Sequence, residues 1–334
     1  MLTPSKGWAL IMLKRSLSAN KLLCILVLVL SIVFALSGCA GKNVEVSGGD
    51  KVVFTDALGR TVAISKRPQR VASLIGGFAD IWMLSGGHVC AAPSDAWEDF
   101  DLPLEDAVNL GGAHSPNTET LLSTNPDFVI ASASTSSNVA LEDMLENAGI
   151  PVAYFDVDCF EDYLSMLDIC TDITGRKDLY EKNGTLLKQK IEAIKLNFKQ
   201  VNLPENKRTV LLLRVSSGSV KTKGSKGTVL GEMLEDLGCV NIADSDKTLL
   251  DMLNIESILH QDPYHIFVVF MGDDSQKAKS NFIKMIDENP AWMTLSAVKE
   301  NRLHFMDRRL FHIKPNEKWA ESYEQLSKVL LETN

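Results

Sequence analysis

Seven side chains suited to ligand binding lie where loops are predicted to follow strands. They are Phe78, Trp97, His114, Arg214, Met271, Arg308 and His312. Arginine can pair through two parallel hydrogen bonds with the oxygens of a carboxylate or catecholate. Aromatic rings can lie against a flat ligand, and histidine or methionine can donate to a metal. These residue types predict capture of a small ligand with anionic or flat parts.

Ser134 and three lysines, Lys221, Lys223 and Lys226, lie in loops of the same kind. Each of these residues also has a plainer explanation. Trp97 could cap a small core, the lysines could belong to a solvated loop, and a single histidine could be structural. The residues therefore predict a site without fixing its ligand.

Catalytic chemistry finds no support in the sequence. No G-x-S-x-G, H-E-x-x-H or G-x-x-x-x-G-K-[ST] motif is present, and these motifs position nucleophiles, zinc and phosphates. No spacing of histidines and carboxylates suits a bare zinc ion. The formal net charge of −9 argues against a nucleic-acid partner, which would need a basic face. We therefore predict a binding protein without an intrinsic cofactor.

Strands alternate with helices along the chain, which predicts an α/β fold with parallel sheets. In such sheets ligands bind beyond the carboxyl ends of the strands. Sequence blocks recur in the same order: Glu119 and Pro126 match Glu256 and Pro263 at one constant offset, and Val71-Ala72-Ser73-Leu74-Ile75 is echoed by Val210-Leu211-Leu212-Leu213-Arg214. A repeat seen twice predicts two similar lobes with a ligand cleft between them.

One long helix over residues 176–202 is predicted to join the lobes. Its apolar stripe consists of Leu187, Ile191, Ile194, Phe198 and Val201, spaced by three or four residues. Gly184 is the weak point because an interior glycine costs about 1 kcal/mol against alanine. A first lobe over 51–175 and a second lobe over 203–334 follow from this assignment.

Residues 1–39 are predicted to be an export segment. A basic region ending at Lys21 precedes an uncharged apolar run, and Leu36-Ser37-Gly38-Cys39 follows it. Small residues before a cysteine resemble the lipobox of bacterial lipoproteins, in which the cysteine is acylated and becomes the new N-terminus. Residues 40–50 would form a flexible tether. The alternative is a transmembrane helix, for which the run is short.

Four cysteines lie beyond the export segment: Cys90, Cys159, Cys170 and Cys239. Outside the membrane they could form disulfides with three possible connectivities. Each has apolar neighbours in sequence, so we expect four buried free thiols.

Five motifs together resemble the helical-backbone substrate-binding proteins of ABC importers for iron–siderophore, haem and cobalamin, over nearly all of residues 51–332. Residues 70–334 together would form the periplasmic-binding-type domain of that family. The motifs are the hairpin Phe54-Thr55-Asp56-Ala57-Leu58-Gly59-Arg60-Thr61-Val62, Arg67-Pro68-Gln69-Arg70-Val71, Glu119 through Asp127, Glu256 through Pro263, and Trp292 through Lys299. The resemblance implies a monomer that delivers an iron chelate, a ferric siderophore or haem, to an ABC permease dimer with its ATPase. It would be lipid-anchored on the extracytoplasmic face of the cell membrane.

The resemblance also implies that Glu119 and Glu256 contact arginines of the permease. A plainer explanation is that each glutamate only opens a helix, where the helix dipole favours an acid. Cobalamin is an alternative ligand, although the basic loops of the second lobe suit an anionic ferric chelate better. A chelatase-like enzyme and a sensor subunit are the alternatives from other classes.

Overall fold

The computed structural model describes residues 50–272 and 275–332. The export segment, Cys39 and nearly all of the tether lie outside the described residues. Within the described residues the chain forms two α/β halves, each built around a mainly parallel sheet. We call residues 51–175 the first lobe and residues 203–334 the second lobe.

The first lobe begins with an antiparallel hairpin of β1 (Lys51–Thr55) and β2 (Thr61–Ser65). Asp56 closes its turn, because its carboxylate accepts hydrogen bonds from the backbone N–H groups of Leu58 and Arg60. The Arg60 guanidinium then bridges Asp56 and Glu142 at 2.7 Å each. The hairpin predicted from Phe54–Val62 is thus confirmed and tied to the body of the lobe.

A five-stranded sheet forms the centre of the first lobe. Its strands are β3 (Val71–Ser73), β4 (Val89–Ala92), β5 (Val108–Asn109), β6 (Phe128–Ser132) and β7 (Val152–Phe155). All pair in parallel, in the order β5-β4-β3-β6-β7. The helices are α1 (Gly76–Leu84), α2 (Asp95–Glu98), α3 (Thr118–Ser123), α4 (Ser136–Val139), α5 (Glu142–Asn147) and α6 (Phe160–Thr174).

The second lobe repeats this plan around its own sheet. Its strands are β8 (Thr209–Val215), β9 (Val220–Lys223), β10 (Val240–Asn241), β11 (His265–Phe270) and β12 (Leu303–Met306). Its helices are α9 (Val229–Asp236), α10 (Ile242–Ser245), α11 (Lys247–Asp251), α12 (Ile255–Gln261), α13 (Ser275–Glu288), α14 (Ser296–Lys299), α15 (Arg308–Phe311) and α16 (Trp319–Glu332). Single 3₁₀ turns cover Glu205–Lys207, Trp292–Thr294 and Asn316–Lys318.

One expectation for the second lobe needs correction. Lys221, Lys223 and Lys226 were predicted to lie in a loop, but Lys221 and Lys223 belong to β9, which pairs antiparallel with β8, so the sheet is parallel except at this edge. Helices α11 and α12 are separate because Asn254 caps the second one by accepting from the backbone N–H groups of Glu256 and Ser257.

The connection between the lobes is helical but not uniform. It consists of α7 (Lys177–Tyr180), a π-helical turn over Glu181–Thr185, and α8 (Leu186–Gln200). The π-turn contains Gly184, the predicted weak point. Asn183, next to Gly184, is fixed by two hydrogen bonds. Its side-chain amide donates to the Leu84 carbonyl, and its backbone carbonyl accepts from the Tyr163 hydroxyl. Such a widened turn places one extra residue in the helix.

The last helix makes a second connection between the lobes, which the sequence did not predict. Helix α16 packs along α8. Its Trp319 ring meets Phe160 of the first lobe edge-on at 5.8 Å. The Tyr323 hydroxyl donates to Asp236 of the second lobe at 2.7 Å. The predicted apolar stripe of α8 faces this contact, except that Val201 is 52% exposed.

All four cysteines in the described part of the chain are free thiols. Cys170 and Cys239 are buried as expected, whereas Cys90 and Cys159 are half-buried. Burial raises the pKa of Cys239 to about 12 and that of Cys159 to about 11. The thiols are therefore poor nucleophiles and stabilise the fold by packing.

Candidate functional site

A cavity of about 350 Å³ lies between the lobes, where the strands of both sheets end. The first lobe contributes His114, Ser134, Thr135 and Asp158, and the rest of the wall is Leu212, Arg214, Lys223, Gly227, Thr228, Val229, Leu230, Val269, Phe311, His312 and Lys314. A larger groove of about 570 Å³ runs along α8, but the sides of helices line it. Because ligands of α/β sheets bind at the carboxyl ends of strands, we take the cavity between the lobes as the candidate site.

The position of each wall residue follows from the strand before it. Ser134 comes two residues after β6, and Asp158 comes three residues after β7. Arg214 and Lys223 lie near the carboxyl ends of β8 and β9, while His312 follows α15 after β12. Ser134, Asp158 and Arg214 thus lie near the carboxyl ends of parallel strands, as the alternation of strands and helices predicts, whereas Lys223 ends an antiparallel strand and lies opposite Leu212.

Three cations face the cavity: Arg214, Lys223 and Lys314. Lys314 is held on the first lobe, where its ammonium donates to the Val157 carbonyl and lies 3.3 Å from Oδ1 of Asp158. Within residues 50–272 and 275–332, Arg214 and Lys223 form no ion pair with a carboxylate. A half-buried cation without a counter-ion is costly unless an anion joins it. The cavity is therefore suited to bind a negatively charged ligand.

Burial and mutual repulsion act on these cations. Burial lowers the pKa of Arg214, against the attraction of Asp158. Burial also lowers the pKa of Lys223, and Arg214 and Lys221 lower it further. Arginine keeps its charge in any protein environment. An anionic ligand would relieve this repulsion as it binds.

His312 lines the cavity with an uncharged imidazole. Burial first, and then Arg214, Arg308, Lys314 and Lys223, lower its pKa to about 4. A neutral imidazole has one donor and one acceptor nitrogen, and it can also ligate a metal. His114 reaches the same cavity from the first lobe, where it is exposed.

Four of the seven predicted ligand residues do not line the cavity. Phe78 is 1% exposed and contacts Phe155 in the core. Trp97 packs on a small cluster around Ala96, which is the plainer explanation offered above. Arg308 pairs with Asp99. Met271 follows β11, and its backbone N–H donates to the Val215 carbonyl.

The wall also contains residues that the sequence analysis did not single out: Thr135, Asp158, Thr228, Phe311 and Lys314. Asp158 could have been found, because it follows a predicted strand. Lys314 could not, because it reaches the cavity through a segment that crosses to the first lobe. In that segment Asn316 donates to the Gly77 carbonyl and to Asp80, and Arg309 lies 3.2 Å from Asp80.

Glu119 and Glu256 occupy equivalent places on the two lobes. Each is the second residue of a helix, α3 or α12, that leads into a central strand. An asparagine, Asn117 or Asn254, caps each helix. Both glutamates are exposed, and neither forms an ion pair within the described part of the chain. Asn125 and Asp262, at the matching helix ends, both have left-handed backbone with φ of 45° and 39°.

In the part of the chain that the structure describes, no three metal-binding side chains of the His, Cys, Asp and Glu types converge on one point. Among the same residues, no helix combines the length and the apolar character needed to cross a membrane.

The family model described as "Periplasmic binding protein" matches residues 71–310. The chain belongs to this family. Among curated members, the Fe(3+)-citrate-binding protein YfmC of Bacillus subtilis is 25% identical over 309 residues, which cover 87% of this chain and 90% of that protein. The iron-uptake system-binding protein of the same species is 24% identical over 202 residues, and the match covers 60% of this chain and 61% of that protein.

Solved structures share the two-lobed fold of this periplasmic binding protein. Staphylococcus aureus SirA, complexed with staphyloferrin B, superimposes with a TM-score of 0.64 at 21% identity, over 84% of this chain and 97% of SirA. The catecholate-siderophore binding protein VctP of Vibrio cholerae gives a TM-score of 0.66 at 17% identity, over 84% and 99% of the two chains. At these identities the likeness establishes the fold alone.

Proposed function

We propose that this protein is the extracytoplasmic substrate-binding component of an ABC importer and that it captures an anionic ferric chelate. The observation that carries the proposal is the cavity between the lobes, where Arg214 and Lys223 face the interior without a carboxylate partner in the described residues. Charge-assisted hydrogen bonds to carboxylate or catecholate oxygens are strong when both partners leave water. The names of YfmC and of the SirA complex, which concern iron citrate and a siderophore, agree with this ligand class.

In this proposal Arg214 and Lys223 bind the oxygens of the chelate, and His312 and His114 close on it from opposite sides. Phe78, Trp97 and Arg308 are not expected to contact the chelate, since the structure gives each of them other contacts. Met271 would lie at the rim. Cobalamin fits this wall less well, because a ligand without strong negative charge would leave the cations unpaired.

Haem is a second candidate, favoured by one specific observation. His114 and His312 reach one cavity from different parts of the fold, and His312 is neutral above pH of about 4. Haem iron takes axial histidines, and its propionates could pair with Arg214. A shifted Soret band on adding haemin, lost in His312→Ala, is the expected signature. An unshifted band would eliminate haem.

Glu119 and Glu256 are proposed to dock the two lobes onto arginines of the permease dimer. Their support is their equivalent, exposed and unpaired placement. The double variant Glu119→Arg/Glu256→Arg is expected to abolish uptake of labelled ferric chelate in cells while the purified protein keeps its affinity. Glu205→Arg, also an exposed helix-opening acid of the described chain, should take up chelate normally. Normal uptake by the double variant would exclude this role.

Attachment to the membrane through Cys39 is proposed from the sequence motif. A relative, YhfQ of Bacillus subtilis, is named a putative ABC transporter substrate-binding lipoprotein, and it is 22% identical over 88% of this chain. Radioactive palmitate should label the wild type but not Cys39→Ser. Equal labelling of both would contradict the anchor.

A further inference from the structure

One acidic side chain stands among the cations of the cavity wall. Asp158 follows β7 on the first lobe, and about 37% of its side chain is exposed. It is the one carboxylate lining the cavity within residues 50–272 and 275–332. An acid at the entrance to an anion site weakens that site, so its presence calls for an explanation.

The contacts of Asp158 show what its charge acts on. Its Oδ1 lies 3.3 Å from Nζ of Lys314, which also donates to the adjacent Val157 carbonyl. The charge of Lys314, a residue of the second lobe, is thereby largely neutralised by a carboxylate of the first lobe. The charge of Asp158 also reaches across the cavity, because it raises the pKa of Arg214 against the effect of burial. Asp158 therefore faces cations on both sides of the space where a ligand would lie.

The backbone around Asp158 fixes its position. Its N–H donates to Oδ2 of Asp162 at 3.1 Å, and Asp162 accepts from Cys159 as well, in the first turn of α6. The side chain itself takes no part in this cap. Replacing the Asp158 carboxylate should therefore change the charge of the cavity and leave the start of the helix intact.

We propose that Asp158 is a specificity residue that discriminates among chelates by their net charge. Its carboxylate repels a negatively charged ligand and competes with it for Lys314, so each added negative charge on the ligand gains less affinity than it would from the cations alone. The wild type then discriminates less strongly in favour of highly charged chelates than a cavity without this acid would. This inference rests on the proposed function, since it presumes that the cavity holds an anionic chelate.

The expected size follows from Coulomb's law with solvent screening. Across roughly 10 Å in a partly hydrated cleft, the repulsion between the Asp158 carboxylate and one negative charge on the ligand weakens binding by about three- to tenfold. Salt should reduce the effect, because both charges are partly exposed to solvent.

The test is calorimetric titration of residues 40–334 with ferric citrate and with ferric tricatecholate. Asp158→Asn should bind the anionic chelate more tightly than the wild type, by about 30-fold or more for a trianion. The gain should shrink as NaCl rises from about 0.05 to about 0.5 M. Asp158→Glu keeps the charge and should match the wild type. Asp143→Asn makes the same change in net charge on the exposed face of α5 and should also match it.

Three different results would overturn the inference. If the wild type binds an anionic chelate but Asp158→Asn binds it equally or more weakly, the charge-selecting role is wrong and the proposed function stands. If the wild type binds neither chelate, both proposals fail together. A gain that is unaffected by salt would show that shape, not charge, is the cause, and would also exclude the role.

Discussion

The two lobes share one plan but bring opposite chemistry to the cavity. The first lobe lines it with hydroxyls, an exposed imidazole and the acid Asp158, whereas the second lobe's sheet brings Arg214 and Lys223. The repeat itself conserves features away from the ligand, such as the asparagine caps before Glu119 and Glu256. The shared plan thus builds the frame, and departures from it set the ligand chemistry.

The largest departure follows the first central strand of each lobe. In the first lobe β3 runs within three residues into α1. In the second lobe β9 folds back on β8 before α9 begins, and this hairpin carries Arg214 and Lys223, the two cavity cations that have no carboxylate partner among the described residues. Arg214 stands where the repeat places Ile75, a half-buried residue packed on the core. At this repeated position the two lobes therefore differ: Ile75 packs on the core, whereas Arg214 brings charge to the cavity.

The largest effect on ligand binding is expected from removing the positive charge of Arg214. Arg214→Gln should weaken binding of ferric citrate or ferric tricatecholate by about 2–3 kcal/mol, roughly 30- to 150-fold, because it deletes charge-assisted hydrogen bonds in a half-buried site. Calorimetric titration measures the change. Lys226→Met is the matched control: Lys226 is an exposed cation of the same region that is paired with Glu232 and Glu235. If the affinity of Arg214→Gln for the chelate falls by less than threefold, the difference in ligand chemistry that we infer between the lobes is wrong.

The next comparison concerns how the stability of the fold depends on pH. We expect a pair of histidines in the second lobe to contribute to this dependence. In the core of the second lobe, Nδ1 of His265 lies 3.1 Å from Nε2 of His304. Burial lowers the pKa of His265 to about 3 and that of His304 to about 4. Folding therefore favours the neutral rings. Their effect is absent above the unfolded pKa of about 6.5, and stability falls as the pH drops from there towards the folded values, by up to about 1.4 kcal/mol per pH unit for a fully buried ring.

Thermal unfolding at pH 7 and pH 5 tests this sign. The wild type should lose more stability on acidification than His304→Gln, which removes one of the paired rings. His88→Gln, a substitution on the exposed surface of the first lobe, should behave like the wild type. An equal acid response of the wild type and His304→Gln would show that the pair does not couple folding to pH.

A smaller effect should come from the loop between β9 and α9. A Cβ on Gly231 would lie 2.4 Å from the Ser225 carbonyl oxygen and 2.4 Å from Oγ1 of Thr228. Gly231→Ala must therefore displace the loop that brings Thr228 to the cavity, at a cost of about 1–3 kcal/mol in stability. We expect a several-fold loss of chelate affinity with it. Gly218→Ala, where a Cβ meets nothing within 4 Å, is the control.

An unchanged affinity in Gly231→Ala would mean that this loop is not part of the site. Chemical unfolding of the same two variants separates loss of stability from loss of binding, because a shifted midpoint with unchanged affinity reports the fold alone.

The sequence predicts the frame well because its signals are local and repeated. Alternation of strands and helices, the Pro126 and Pro263 blocks and the Asn-capped acids each follow from neighbouring residues. Within the site, His114, Arg214 and His312 were predicted because they follow strand ends. Asp158 was missed although it follows a strand end, and Lys314 was missed because it reaches the cavity through a segment that crosses to the first lobe.

Other departures have equally physical causes. The aromatic side chain of Phe78 is suited to contact with a flat ligand. In the folded protein, however, it packs in the core against Phe155. The hairpin of β9 was predicted as a loop because Ser216–Ser219 reads as a turn and the lysines do not resemble a buried strand. The second connection through α16 was not predictable, because no local pattern shows which surface a terminal helix will cover.

The central claim is that unpaired cations of the second lobe make the cavity a site for anionic ferric chelates. The measurement that tests it most directly is parallel calorimetric titration of residues 40–334 with ferric citrate, ferric tricatecholate and cobalamin. Our account predicts saturable binding of a ferric chelate in the submicromolar range, which corresponds to more than about 8 kcal/mol, and no comparable binding of cobalamin. Tight binding of cobalamin, or binding of none of the three, would contradict it.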